Sequence, residues 1–285
     1  MENEKPLYKA EEMEEFLDLK FYHPLGYKLA KKARDLNLTP NQVTYISMAF
    51  GILGGALLAF KCTLYPAFIL LVFSSVLDSA DGQLARMTGK GTLKGRILDG
   101  LIGYFSYAAA YIGLAVLYMR IARSYGSWYI LVLVVLGTIT AGLHSSMYDF
   151  YRTTYASVAG KDRLPDEHEE HLTPFFARIY AMYHVYQNLL ASSHLRILSL
   201  LKKRNPSGEL SAADQNMYRM YNRRTVHMWN MFGDNTRFIA IFIAIVMLRP
   251  DMYFILIIGP LTAIFCAAIF VQRCVDGEFY AKLSR

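Results

Sequence analysis

Asp78, Asp81 and Asp99 are the residues whose type and spacing could do chemistry. They stand in DSADGQLARMTGKGTLKGRILDG, residues 78–100. Asp78 and Asp81 are three apart and would share one face of a helix. Both close one apolar run, and Asp99 opens the next. A helical hairpin would bring all three to one depth. Ionisable side chains at membrane depth are expensive and point to function. Clustered carboxylates repel one another unless a cation sits between them. Oxygen-only ligands suit Mg²⁺, Mn²⁺ or Ca²⁺ rather than zinc. The neighbours suit phosphate: Gly82 and Gly95 allow close approach, Ala85 is small, and Arg86 can form bidentate bonds. Metal and Arg together stabilise charge that develops on a transferred phosphoryl group.

The elements that must position these residues are apolar. Of 285 residues 54% are hydrophobic, yet the net charge is +7. The apolar residues come in blocks: Val43–Phe60, Leu64–Leu77, Ile97–Tyr118, Trp128–Met147, Met231–Leu248 and Met252–Gln272. About 20 such residues span a bilayer, and a helix satisfies its own backbone there. Six transmembrane helices are expected, the second and fifth short or polar at one end. With both termini cytoplasmic, every Lys and Arg except Lys61, Arg120, Arg123 and Arg249 falls on the cytoplasmic side, as the positive-inside rule requires. The positive charge therefore reads as topology and attraction to anionic lipid. No recognisable nucleic-acid module accompanies it. The acidic start, MENEKPLYKAEEMEEF, has no apolar core and does not read as a cleaved signal peptide. Cys62, Cys266 and Cys274 are scattered and suggest neither metal nor disulfide framework.

Residues 16–38 mix Phe, Leu and Tyr with Lys and Arg, which predicts an amphipathic helix on the cytoplasmic membrane face. An ordinary solvated helix would look similar. In LTPNQVT, Thr39 or Asn41 can cap the first membrane helix and Pro40 suits its first turn. Gly51 and Gly55, four apart, permit close helix contact. Residues 156–230 read as a helical cytoplasmic insertion, with apolar periodicity through Phe176, Ile179, Tyr183, Tyr186 and Leu190 and a turn at Asn205–Gly208. The EHEEH run, Glu167–His171, spaces its histidines by three positions rather than the four of the His-Glu-x-x-His pattern of a helical zinc site, and reads as a solvated acidic turn. The expected units are thus 1–40, 41–155, 156–230 and 231–285, in an all-α polytopic membrane protein.

The spacing Asp78, Asp81-Gly82, Ala85-Arg86, Gly95, Asp99 resembles the signature of the CDP-alcohol phosphatidyltransferase family. The six apolar blocks, the amphipathic start and the TPN..T opening of the first membrane helix are similar too. The resemblance covers most of the chain outside the insertion. It implies that Asp78, Asp81 and Asp99 hold Mg²⁺ or Mn²⁺, which grip the diphosphate of a CDP-linked substrate, and that Gly82, Ala85, Arg86, Gly95 and Thr44 shape the CDP site. It implies a donor such as CDP-diacylglycerol or another CDP-alcohol, a hydroxyl acceptor, release of CMP, and a place in phospholipid biosynthesis. A multi-pass protein of the cell (inner) membrane is expected, with its active site cytoplasmic. Membrane lipid is a partner, nucleic acid is not, and a homodimer is left open.

One position departs from the family pattern. The fourth motif aspartate, the family's proposed base, is Gly103 here. His144, roughly 12 Å above the cytoplasmic end of the fourth helix at 1.5 Å per residue, is a candidate base; helix packing is its other reading. Asp149 and Arg152 lie nearer the cytoplasm on that helix. Asp234, Asn235 and Arg237 open the fifth, where they could line an acceptor pocket or cap the helix. Asp149, Arg152 and Arg237 are assigned to the substrate site. Two functions follow: an enzyme, or a catalytically silent relative that binds CDP-lipid or partners. A transporter fits less well, since no paired repeat is visible.

Overall fold

The computed structural model describes residues 13–123, 127–159, 178, 185–205 and 210–284, with the backbone alone for Leu93, Lys94, Arg96 and Ile97. Helices are the regular secondary structure of the described residues, which contain no strand. Four helices are long and apolar enough to cross a membrane: Lys61–Thr88, Leu98–Ala122, Trp128–Val158 and Asp251–Leu283.

A π-helical turn, Asp18–Tyr22, leads into α1, His23–Asp35. The second helix, α2, covers Pro40–Leu57. Thr39 caps it in a reciprocal box: its hydroxyl accepts from the Gln42 amide at 3.3 Å, while the Gln42 side chain accepts from the Thr39 amide at 2.8 Å. Pro40 fills the first turn, where its missing N–H costs nothing. The next helix, α3, Leu64–Thr88, ends where Gly89 adopts a left-handed conformation, φ 65°, which favours glycine. Thr92 then caps α4, Leu93–Ala122, accepting from the Gly95 amide at 3.0 Å. This four-residue connection makes α3 and α4 sequential neighbours whose facing ends carry the three aspartates.

Close packing holds α2 between α3 and α4. A Cβ at Gly51 would collide with Ser106, and one at Gly55 with the backbone of Ala109 and Ala110. The close helix contact expected from these glycines is thus made within the chain. Ser47 and Ser74 exchange hydroxyl-to-carbonyl bonds of 2.8 Å between α2 and α3, a polar tie suited to an apolar surrounding.

The chain continues through α5, Trp128–Val158; α6, Ser192–Arg204; α7, Ala212–Trp229; α8, Asp234–Val246; α9, Asp251–Leu256; and α10, Thr262–Leu283. A π-helical turn, Ile257–Leu261, containing Pro260, joins the last two, the usual kind of site for such a bulge. The expected spans at Val43–Phe60 and Met231–Leu248 correspond to the shorter helices α2 and α8. The fourth runs on past its expected end at 155 to Val158. Within the expected insertion, α6 and α7 are helical; Phe176, Ile179, Tyr183 and the EHEEH run lie outside the described residues.

A buried polar network fastens α6 and α7 to α10. Asp276 accepts from Ser193 at 2.7 Å and Gln272 at 3.0 Å and meets His194 Nδ1 at 2.8 Å. His194 Nε2 meets the Tyr218 hydroxyl at 2.9 Å. Trp229 donates to Gln272 at 3.1 Å.

Candidate active site

The hairpin of α3 and α4 brings Asp78, Asp81 and Asp99 together, one carboxylate oxygen of each lying within 4.8 Å of the others. Asp78 is exposed, Asp99 half-buried, and Asp81 buried at 5% exposure. Oδ2 of Asp81 is buried without a hydrogen-bond partner among the described residues. A buried carboxylate oxygen in that state is costly, and a divalent cation would satisfy it. The donor set is all oxygen, so these residues fit Mg²⁺ or Mn²⁺.

The other motif residues surround this cluster. Thr44 in α2 is buried; its hydroxyl donates to the Pro40 carbonyl at 3.0 Å and lies within hydrogen-bonding reach of Asp81. The Arg86 guanidinium folds back along α3 until Nη1 is 3.6 Å from where a Cβ of Gly82 would stand. Ala85 is half-buried between them. A Cβ at Gly95 would lie 3.5 Å from Asn41 Oδ1, so the start of α4 sits against the start of α2.

Beside Asp78 opens a cavity of about 50 Å³, walled by Ser47 and Ser74 and bordered by Asp78, Gly103, Tyr107 and Asp234. A Cβ at Gly103 would meet no atom within 4 Å. Glycine there leaves open space where a carboxylate would have stood. Across the gap Asp234, first residue of α8, accepts from the Tyr107 hydroxyl at 2.7 Å. Arg237 reaches the same Oδ1 at 3.5 Å.

His144 does not border this cavity. It is 1% exposed, with its ring 4.6 Å from that of Phe265 and 5.3 Å from that of Phe232. Its Nε2 lies 3.4 Å from the Thr262 hydroxyl on α10. These contacts fit its other reading, packing between α5 and α10; the role of base rested on depth alone.

Arg237 and Arg152 are likewise engaged by protein. Arg237, 6% exposed, donates to the Ala141 carbonyl at 2.7 Å and to Ser145, and lies over the Tyr107 ring at 5.0 Å. Arg152 donates to Tyr148 at 2.5 Å and pairs with Glu14. Asp149 is exposed and accepts from Thr153 at 3.4 Å. The N-terminal segment that supplies Glu14 was not foreseen as part of the site. Burial pushes the Glu14 carboxyl up, but Arg152 and His23 outweigh this and hold it near 2. Burial and Asp18 push Glu15 up to about 7. Glu15 lies against Gly233, accepts from Asn235 at 2.6 Å and from Tyr148 at 3.3 Å, and so abuts the start of α8.

Known proteins bear on this arrangement. A bifunctional IPC transferase and DIPP synthase of Thermococcus kodakarensis is 27% identical over 157 residues, 54% of this chain and 34% of its own length. An archaetidylinositol phosphate synthase of Pyrococcus horikoshii is 34% identical over 88 residues, 31% of this chain and 46% of its own. The chain thus aligns with less than half of either relative. No solved structure matches. The family profile for CDP-alcohol phosphatidyltransferase matches residues 37–198. That match takes in the whole aspartate hairpin and more than half of the chain, which therefore belongs to the CDP-alcohol phosphatidyltransferase family, membrane-integral phospholipid-synthesis transferases that use divalent metal ions, CDP-alcohols and hydroxyl acceptors.

Proposed function

We propose that this protein is a working transferase that moves a substituted phosphate from CDP-diacylglycerol, or another CDP-alcohol, to a hydroxyl acceptor and releases CMP. The observation that carries this reading is the convergence of Asp78, Asp81 and Asp99 to within 4.8 Å. Such a cluster is electrostatically unfavourable without a cation, and a cation at that point is what transfer of a phosphoryl group calls for. In this reading the three aspartates hold Mg²⁺ or Mn²⁺, which neutralises charge on the diphosphate and on the transferred phosphorus. Arg86 and the small residues Gly82, Ala85 and Gly95 take the CDP moiety, with Thr44 steadying Asp81. The names of the archaeal relatives make inositol phosphate an acceptor to test beside glycerol phosphate and serine.

Six membrane crossings are part of the proposal. Four are the long apolar helices; α2 and α8 supply the others, with α1 on the cytoplasmic surface. Both termini and the aspartates then face the cytoplasm of the cell membrane, on the side where the Lys and Arg concentrate. The second reading, a silent relative that binds CDP-lipid, draws on one observation: position 103 is glycine.

Purified protein incubated with CDP-diacylglycerol, Mg²⁺ or Mn²⁺ and each acceptor alcohol separates the two. Metal-dependent release of CMP, matched by new phospholipid, is expected with at least one acceptor. Binding of CDP-diacylglycerol with no CMP from any of them would replace the enzyme with the silent relative.

A further inference from the structure

We infer that Asp234, reaching across from α8, is the carboxylate that takes the acceptor's proton, standing in for the acid that position 103 lacks. The inference rests on the transferase reading above. Asp99, Gly103 and Tyr107 follow one another at intervals of four on α4 and share one helix face. The middle position has no side chain, and the cavity beside it borders Asp78 on one side and Asp234 on another. Tyr107 and Arg237 both bind Oδ1 of Asp234. Oδ2 has no hydrogen-bond partner among the described residues. The carboxylate is thereby fixed in direction and still has one oxygen to offer. It is 59% exposed, whereas Arg237 is 7% exposed by side chain: the cation is packed away and the carboxylate is open to a ligand.

An acid in the first turn of a helix can simply answer the helix dipole. Asp234 does more than that. It is tied to a tyrosine on a different helix, one turn beyond the empty motif position. The cavity, about 50 Å³, is wide enough for a hydroxyl group, since about 10–15 Å³ on the same measure holds one water.

In the step so assigned, the acceptor hydroxyl gives its proton to Oδ2 of Asp234. Its oxygen bonds to the phosphorus remote from cytidine. The bond from that phosphorus to the bridging oxygen breaks, and CMP leaves with the electron pair. The proton then passes to water. No oxidant or reductant is involved. Asp234 is the catalytic residue in this scheme, and Tyr107 and Arg237 are positioning residues.

The test uses four full-length proteins: parent, Asp234→Asn, Gly103→Asp and the double variant. Mn²⁺ binding by electron paramagnetic resonance and CDP-diacylglycerol binding are measured beside CMP release. Asp234→Asn should lower kcat by about 10²–10⁴, the usual worth of a general base, while both binding constants hold. Gly103→Asp in the Asp234→Asn background should recover at least tenfold of that loss, which a merely structural role for Asp234 would not allow. CMP release by Asp234→Asn equal to the parent's, loss of its Mn²⁺ binding, or no recovery in the double variant would each overturn the assignment and leave the transferase intact. A parent that releases no CMP would overturn both.

Discussion

Tyr107 on α4 and Asp234 on α8 are joined by a 2.7 Å hydrogen bond beside the open Cβ position of Gly103. Residues 127 apart in sequence thereby share one edge of the cavity that also touches Asp78. The bond sets where the Asp234 carboxylate points, and through it ties the second half of the chain to the motif in the first.

Tyr107→Phe removes that bond and little volume. Hydrogen bonds to charged groups contribute about 1.5–3 kcal/mol, so kcat should fall about 10- to 100-fold, with KM for the CDP-alcohol and Mn²⁺ affinity unchanged. In the Gly103→Asp background the same substitution should matter much less, because a carboxylate on α4 does not depend on Tyr107 for its direction. Equal losses in both backgrounds would reduce Tyr107 to a packing residue.

Asp81→Asn gives a stability signature of the metal site that is independent of turnover. Asp81 is buried beside two further carboxylates. Neutralising it relieves repulsion, so without divalent ions the variant should melt higher than the parent in the same detergent. With Mn²⁺ the order should reverse, since a ligand bound only by the folded state stabilises by about 2.7 kcal/mol at a hundredfold excess over its Kd. The parent gains that increment and the variant loses most of it. An Mn²⁺-induced rise in Tm of equal size in both proteins would remove Asp81 from the site.

Arg86→Lys keeps the charge and loses the planar fork. The guanidinium lies over Gly82, and a planar fork can give two parallel bonds to one phosphate where an ammonium cannot. Affinity for CDP should fall about tenfold, within the range expected when a charged hydrogen bond is lost. Mn²⁺ binding should be unaffected. Unchanged CDP affinity would assign Arg86 to the membrane surface.

How far these relationships were legible in sequence depends on their range. Asp78, Asp81 and Asp99 converge because a helical spacing of three and a short connection are local facts. The Thr39 cap and the glycines of α2 are local too. His144 is the opposite case. Its depth could be read from its distance to a helix end, but which neighbour its ring faces depends on how α5 packs against α10, and no local pattern encodes that. Tyr107 went unnoticed because a tyrosine in an apolar run reads as core until its hydroxyl is seen to meet Asp234. His194 and Asp276, 82 residues apart, give no paired signal either. Asp234 was visible as an acid opening a helix, yet only its partner on α4 distinguishes it from a helix-terminal charge.

The N-terminal segment should make stability depend on pH through two carboxyls of opposite sense. Glu14, held near 2 against an ordinary value of 4.5, favours folding when ionised. Its contribution is complete above 4.5 and is lost as pH falls toward 2. Glu15, pushed up to about 7, binds its proton more tightly folded than unfolded. Its contribution is complete below about 4.5 and is lost as pH rises through 7. Glu15→Gln mimics the protonated form, offering one acceptor and one donor to Asn235 and Tyr148. It should therefore match the parent at pH 5 and exceed it at pH 8 by about 1–2 kcal/mol, less than the ~3 kcal/mol of the full shift because the carboxyl keeps some contact with water. Thermal unfolding in detergent across pH 5 to 8 measures the difference. Parallel pH profiles for the two proteins would mean that Glu15 stays ionised against Gly233 without penalty.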